Sequence, residues 1–346
     1  MILQICMGSK IADLFQGKDI KIEDLSGKVL AVDAFNTMYM FLTTIRGPDG
    51  SPLMDSQGKI TSHIQGIVGR FSNYMQKGLK FAFVFDGESP KLKTEESRRR
   101  KELKDKAKKL YQEAKDKEDL ENMKKYASRT VFLTSEMIIE TKELLRLMGI
   151  PVIQAPSEGE AQAAHMVVKG DAWAVVSQDA DSLLNKAPRL IKNLSITGKR
   201  KLPGNLGYKT LDPQLIELEP NLKELELDMD ELVMLAVLIG TDYNYGGVKG
   251  IGPKKGIKLV KQKKEKSFEE LEWEKHFDVN WKDIYDTICN MPVTDDYTLE
   301  FKPADLEGLK EFLAKRDFSE NRIDSIITKF KEIEKNSQQK GLGDFF

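Results

Sequence analysis

Two hydrophobic patterns alternate along the chain. Short unbroken apolar runs occur at 29–35 (VLAVDAF), 80–88 (KFAFVFDGE) and 172–181 (AWAVVSQDAD). Continuous β-rich runs of this kind fit strands buried on both faces. Between them, residues 60–79 (ITSHIQGIVGRFSNYMQKGL) and 135–149 (SEMIIETKELLRLMG) carry a helical period, the second ending at Gly149. Strands alternating with helices predict an α/β fold with a mainly parallel twisted sheet flanked by helices. Residues 91–130 break the rhythm and read as a charged helical insertion, with a thin apolar stripe of Leu103, Leu110 and Tyr111. After about residue 223 the pattern predicts mostly helices, and no internal repeat is present.

Each strand-like run ends in acid: Asp33, Asp86, then Asp179 and Asp181. Ligand sites of open α/β sheets lie outside the carboxyl ends of the strands, so these side chains should converge. APSEGEAQAA (155–164) predicts a helix start, with Ser157 as N-cap and Glu158 and Glu160 in the first turn. Asp242 follows the apolar helix LVMLAVLIG in GTDYN. A lone strand-end Asp is more often a cap or turn former, and DxD alone is a weak signal. The combination points to chemistry. So many carboxylates repel one another unless cations neutralise them. An oxygen-only donor set suits Mg²⁺ or Mn²⁺, not Zn²⁺. Two such ions about 4 Å apart can activate water and stabilise the leaving oxygen in phosphodiester cleavage. His63, His165 and His276 are scattered and receive no chemistry.

Composition adds limits. The 346 residues suffice for one or two domains, and 40% hydrophobic with 32% charged content suits a soluble globular protein. The net charge of −1 hides basic blocks at 91–109 and 249–264, so nucleic acid stays open as a partner. Cys6 and Cys289 form no disulfide framework, which points to a reducing compartment. No apolar stretch approaches the roughly 20 residues of a membrane span, and MILQIC is too short and uncharged for a signal peptide. The expectation is an intracellular protein with no membrane association.

The segments VDAFNTMY, FVFDG, QAPSEGEAQAA, SQDADSLL, ITGKRKLPG, GTDYN, GVKGIGPKK and QKGLGDFF together resemble the flap endonucleases of the XPG nuclease family. The likeness is greatest to the archaeal members and runs from Met7 to the C-terminus. It implies a sheet-based nuclease core, a helical arch and two Mg²⁺ ions, for which Mn²⁺ can substitute. It implies that Asp33, Asp86, Glu158 and Glu160 serve the first metal, with Asp33 acting through water. Asp179, Asp181 and Asp242 would serve the second, with Glu160 placed to bridge. The implied layout is one nuclease domain over 1–336: an N-terminal region 7–105, an arch at about 91–130, an internal region 131–260 with a helix-hairpin-helix at 247–258, and a mostly helical part 261–336. A tail follows at 337–346.

Two departures stand out. Family members start Met-Gly, whereas MILQIC precedes Met7-Gly8 here; either translation starts at Met7, the favoured reading, or an extension crowds the DNA path. Ala180 replaces an aromatic residue common in archaeal relatives, for which a packing change is expected.

The basic run 91–109 is either a solvated helix or, by resemblance, the base of the arch, with Lys93 and Arg100 reaching the scissile phosphate. Tyr39 is either core or a stacking platform for a base. In GVKGIGPKKGIK (247–258), two helices joined by a Gly-rich hairpin would present Gly250 and Gly252 to a phosphate, beside a helix N-terminus. This resembles an element that grips duplex backbone, with a K⁺ ion held by its carbonyls. Lys249, Lys254 and Lys255 would add phosphate contacts. Lys199, Arg200 and Lys201 either face DNA or form a solvated hairpin; Arg46, Thr61 and Arg70 match DNA-contacting positions loosely. Gln339, Leu342, Phe345 and Phe346 carry the Q-x-x-h-x-x-a-a spacing of the sliding-clamp motif (PCNA), in which apolar anchors dominate.

The resulting expectation is a structure-specific 5′ flap endonuclease with 5′–3′ exonuclease activity, acting in lagging-strand maturation and repair. It would be cytoplasmic, archaeal, and monomeric apart from the clamp. Rivals are a 5′ exonuclease or bubble-cutting relative, a non-catalytic junction scaffold, and a metal-dependent phosphatase. The scaffold predicts replaced acids, and the phosphatase has no use for arch, hairpin or tail.

Overall fold

The structure, a computed structural model, describes residues 10–343 except 118, 120–121, 123–125, 127–129, 131, 195–197 and 202–207. For residues 10, 94–97, 100–101, 104, 198–201, 208–210 and 337–343 it describes the backbone alone. Met7 and Gly8 therefore lie outside the described residues, as do Phe345 and Phe346.

The predicted strands form the centre of a seven-stranded sheet. Its members are β1 (Lys18–Asp19), β2 (Val29–Asp33), β3 (Lys80–Phe85), β4 (Val152–Gln154), β5 (Ala174–Val176), β6 (Arg189–Lys192) and β9 (Gln214–Glu217), in the order β1-β9-β6-β5-β2-β3-β4. β6, β5, β2, β3 and β4 run parallel, while β9 pairs antiparallel with β6 and β1. A separate antiparallel pair, β7 (Gly198–Lys201) and β8 (Tyr208–Leu211), forms the hairpin carrying Lys199, Arg200 and Lys201.

The unbroken apolar runs have a simple cause: both faces of the sheet are covered. Leu30 and Val32 of β2 enter one core with Phe81, Phe83 and Phe85 of β3, while Ala31, Ala82 and Val84 enter the other. On the phenylalanine side, Phe71 meets Phe81 and Phe83 edge-on, at ring separations of 4.8 Å each. It comes from the helix Ser62–Gln76, whose Gly66 lies flat on Phe41; a Cβ there would sit 2.3 Å from that ring. On the other side, small residues admit the helix Gly159–Lys169, which packs on β2, β3 and β5 through Ala163 and Ala164.

The insertion begins with the helix Thr94–Asp116, exposed along most of its length. All elements after β9 are helical, including Met229–Ile239, Pro253–Lys263 and the final helix Glu320–Gly343. That final helix places Gln339 and Leu342 in its last turns. The hairpin expectation needs one revision. The two helices joined by the Gly-rich loop are Met229–Ile239 and Pro253–Lys263, so 247–258 holds the loop and only the second of them. The apolar run LVMLAVLIG is too regular to stop before Ile239, and Gly240, at φ 112, ends it.

Candidate metal centre

Asp33 closes β2, Asp86 follows β3, Glu158 and Glu160 open the helix after β4, and Asp179 and Asp181 follow β5. Parallel strands place all of these at one edge of the sheet. Carboxylate oxygens of Glu160, Asp179 and Asp181 all lie within 4.8 Å of one another. The Ser177 hydroxyl ties this group to the next strand, donating to Glu160 Oε1 at 2.9 Å and approaching Asp33 Oδ2 at 3.2 Å.

The helix start is not as the sequence suggests. Ser157 is not the N-cap; its hydroxyl donates to the Glu88 carbonyl at 2.8 Å, and Glu158 takes the cap position with no side-chain capping bond. Glu160 stays in the first turn. Asp86 supplies the missing cap from another strand: the Gly159 amide donates to its Oδ1 at 2.7 Å. Next to it, Gly87 is required by close approach, since a Cβ would stand 2.2 Å from the Ala155 carbonyl oxygen.

Asp242 arrives from the other side of the site. Its loop is fixed by neighbours: the Thr241 hydroxyl donates to Asn244 Oδ1 at 2.7 Å, and the Asn244 amide donates to the Val237 carbonyl at 2.6 Å. Lys93, at the base of the long helix, spans the gap. Its ammonium lies 2.6 Å from Glu158 Oε1 and 3.2 Å from Asp242 Oδ2.

The electrostatics show what the donor set needs. Burial, then the charges of Asp179, Asp33 and Asp181, hold Glu160 well above the ordinary carboxylate range. Asp179 is raised likewise by burial, then by Asp181 and Asp242. Asp86 is pushed up to about 7 by burial and by Asp33. Asp33 is also raised by burial, against hydrogen bonds from Asn36, Glu160 and Ser177. Burial opposes the Lys93 charge, but Glu158 and Asp242 outweigh it and keep the ammonium protonated. Glu158 and Asp242 thus already have a cation between them, while Glu160, Asp179 and Asp181 face one another. Hard divalent cations fit this oxygen-only set, and proton uptake is the alternative to binding them.

The residues assigned to DNA in the sequence lie in several settings. Tyr39 is half-buried on the helix Ala34–Thr44. Arg46 holds its own loop, donating to the carbonyls of Gly50 at 2.7 Å and Thr43 at 3.2 Å. Thr61 is buried, and its hydroxyl accepts from the Gln65 amide. Arg70 helps line a cavity of about 340 Å³ with Ile45, Gln65, Asn73 and Tyr74. Gly250 sits at φ 81 and Gly252 caps the helix Pro253–Lys263, both with open space where a Cβ would stand. Lys254 and Lys255 are exposed in that helix's first turn. Arg100 lies in the second turn of Thr94–Asp116, with its side chain outside the described residues, as are the side chains of Lys199, Arg200 and Lys201. Sequence reasoning missed Ser177, which joins two acids, although its place between the apolar run and Asp179 was visible.

A strand-end carboxylate centre on a mainly parallel sheet, met by Lys93 from the base of a charged helix, is one class of site, and comparison places it in a family. The XPG N-terminal domain matches residues 9–107 and the XPG I-region matches 149–242. The flap endonuclease 1 of Thermococcus onnurineus is 47% identical over 98% of this chain and 99% of its own length. That of Pyrococcus furiosus is 46% identical over 98% and 99%. The solved flap endonuclease-1 from Methanococcus jannaschii is 41% identical, covering 95% of this chain and 100% of its own, with a TM-score of 0.76. The catalytic core of Rad2 in complex with DNA substrate is 25% identical, covering 91% of this chain and 96% of its own, with a TM-score of 0.65. The chain belongs to the XPG nuclease family, as a flap endonuclease of the archaeal type.

Proposed function

We propose that this protein is a structure-specific 5′ nuclease that hydrolyses a DNA phosphodiester near the base of a 5′ flap, with accompanying 5′–3′ exonuclease activity. The observation that carries the reading is the gathering of Glu160, Asp179 and Asp181 within 4.8 Å at the strand ends, with Lys93 between Glu158 and Asp242. Asp33, Asp86, Glu158 and Glu160 would hold one Mg²⁺ or Mn²⁺, and Asp179, Asp181 and Asp242 a second. When bound, such ions activate water and stabilise the leaving oxygen of an in-line displacement.

The chain's own groups then have separable tasks. The clustered, half-buried carboxylates fix where cations can sit. Lys93, which stands between Glu158 and Asp242, would meet the scissile phosphate, and Arg100 would join it from the same helix. Gly250 and Gly252 leave room for a phosphate at the N-terminus of Pro253–Lys263, and the carbonyls of this loop would hold a K⁺ ion that neutralises backbone charge. Lys254, Lys255, Lys199, Arg200 and Lys201 supply backbone charge, which sets affinity and salt dependence. Tyr39 would stack on a base and Arg70 would meet the duplex, while Arg46, which holds its own loop, and the buried Thr61 would shape that surface from behind it. Gln339, Leu342, Phe345 and Phe346 would dock on a sliding clamp. The setting is replication and repair in an archaeal cytoplasm, with the protein otherwise monomeric and the chain one nuclease domain to residue 336.

The test is cleavage of end-labelled 5′-flap DNA by the wild type and by Asp181→Ala, with and without Mg²⁺. The expected result is one Mg²⁺-dependent cut near the junction, lowered roughly a thousandfold or more in the variant, since charge stabilisation by such ions is worth several kcal/mol. Binding without any cut would replace the enzymatic reading with a junction scaffold.

A further inference from the structure

Arg99 and Tyr245 join two regions that the sequence treats as separate. Arg99 lies in the second turn of the helix Thr94–Asp116, and its guanidinium carbon stands 3.4 Å from the centroid of the Tyr245 ring. Tyr245 belongs to the loop between Met229–Ile239 and Pro253–Lys263, three residues after Asp242. Its ring is 65% exposed, so burial does not hold it in place. A guanidinium over the face of a tyrosine is attracted by the ring's quadrupole and matches it in planar shape.

The same two elements also meet nearer the carboxylate centre. Lys93, at the N-terminus of the helix, reaches Asp242 on the loop at 3.2 Å. One contact is a pivot, about which a helix can still swing. A second contact, about one and a half turns further along, fixes its direction. The lever is long: 23 residues span roughly 35 Å at about 1.5 Å each. The loop is a firm anchor, because Thr241, Asn244 and Val237 bond it internally.

We propose that Tyr245 is a positioning residue, whose ring stacks on Arg99 to set the direction of the arch helix and thereby keep Lys93 facing the carboxylate centre. The proposal rests on the nuclease reading for its kinetic part only. The stack itself is a property of the protein without metal or DNA.

Two measurements test it on the full chain. The first is amide hydrogen exchange over residues 94–105, in metal-free protein without DNA. Tyr245→Ala and Tyr245→Leu should speed exchange about two- to fivefold, the factor that an exposed cation–π contact is worth. Tyr245→Phe, which keeps the ring face, should match the wild type. Arg99→Ala should have the same effect as Tyr245→Ala, and combining the two should add nothing further. Unchanged exchange in Tyr245→Ala, equal loss in Tyr245→Phe, or additive effects in the double variant would each overturn the proposal. The second is the single-turnover rate on 5′-flap DNA with Mg²⁺, which should fall by a similar factor in Tyr245→Ala and recover in Tyr245→Phe. A fall that Phe does not restore would overturn the positioning role. Absence of cleavage in the wild type would remove the nuclease reading instead, leaving the exchange result to decide the stack.

Discussion

The carboxylate centre and the surroundings of His63 both hold titratable groups out of water, with opposite consequences. At the centre, like charges face one another and the acids are driven toward their protonated forms. His63 is fully buried on the helix Ser62–Gln76, and neither ring nitrogen has a hydrogen-bond partner among the described residues. Burial, then the nearby charge of Arg316, pushes its pKa down to about 4. Arg316 is itself paired with Glu140 at 2.8 Å and donates to the Phe312 carbonyl at 2.9 Å. His63 is a neutral core residue, whereas the acids are several groups sharing one point. Burial of an ionisable side chain thus marks a site only where like charges are collected around a common centre.

The largest separation between the two regions should come from Asp181→Ala. It should abolish cleavage, as above, yet raise the melting temperature of the metal-free protein, because one repelling charge is gone. Thermal unfolding in a chelator checks the second half; a fall in stability would mean that the acids are not in conflict.

The pH dependence comes next. Asp86 titrates at about 7 in the folded protein and near 3.8 unfolded. Between those values the unfolded chain releases its proton first, so the contribution of Asp86 to metal-free stability should fall as pH rises from about 4 to about 7, by on the order of 4 kcal/mol. Asp86→Asn should remove the Asp86 share of that slope, leaving the share of Asp33, Glu160 and Asp179, as read by denaturant titration of wild type and variant across the range. Saturating Mg²⁺ should reverse the slope in the wild type, since cation binding needs the carboxylates ionised.

His63 has the opposite sign. Its folded pKa of about 4 lies below the ordinary 6.5, so the unfolded chain binds the proton first. The His63 contribution to stability should therefore fall as pH drops from about 6.5 to about 4, by roughly 3 kcal/mol, and His63→Leu should remove that contribution while leaving cleavage intact. The smallest effect belongs to the surface. Lys275 pairs with Glu272 at 2.6 Å, but both side chains are largely exposed, and Lys275→Ala should leave the melting temperature unchanged within error.

What the sequence made legible follows from which interactions are local. The strands were readable because burial on both faces leaves an unbroken apolar run, as Val29–Asp33 shows. Their terminal acids converge because parallel pairing aligns strand ends, a rule that needs no knowledge of side-chain contacts. Ser157 was misread as the helix cap because its hydroxyl is taken by Glu88, 69 residues away, and no local pattern reports that. The stop of Met229–Ile239 and the position of its hairpin were blurred by a run apolar on all sides. Lys93 between two acids and Arg99 on Tyr245 were invisible for the same reason: they join segments 65 to nearly 150 residues apart.

The strand order carries a consequence for synthesis. β2 lies between β3 and β5, and β3 between β2 and β4, so the first pair to leave the ribosome is the middle of the finished sheet. Until residues 152–176 emerge, the β2–β3 pair has unpaired edges on both sides. From Phe85 to Val152 is 67 residues, which takes several seconds at roughly 5–20 residues per second. The nascent chain must therefore keep two apolar strands from pairing with strangers for that interval. The intervening stretch is among the most charged in the chain (KLKTEESRRRKELKDKAKK), so the insertion whose base meets the acids in the finished protein also tethers a soluble segment to its stickiest intermediate.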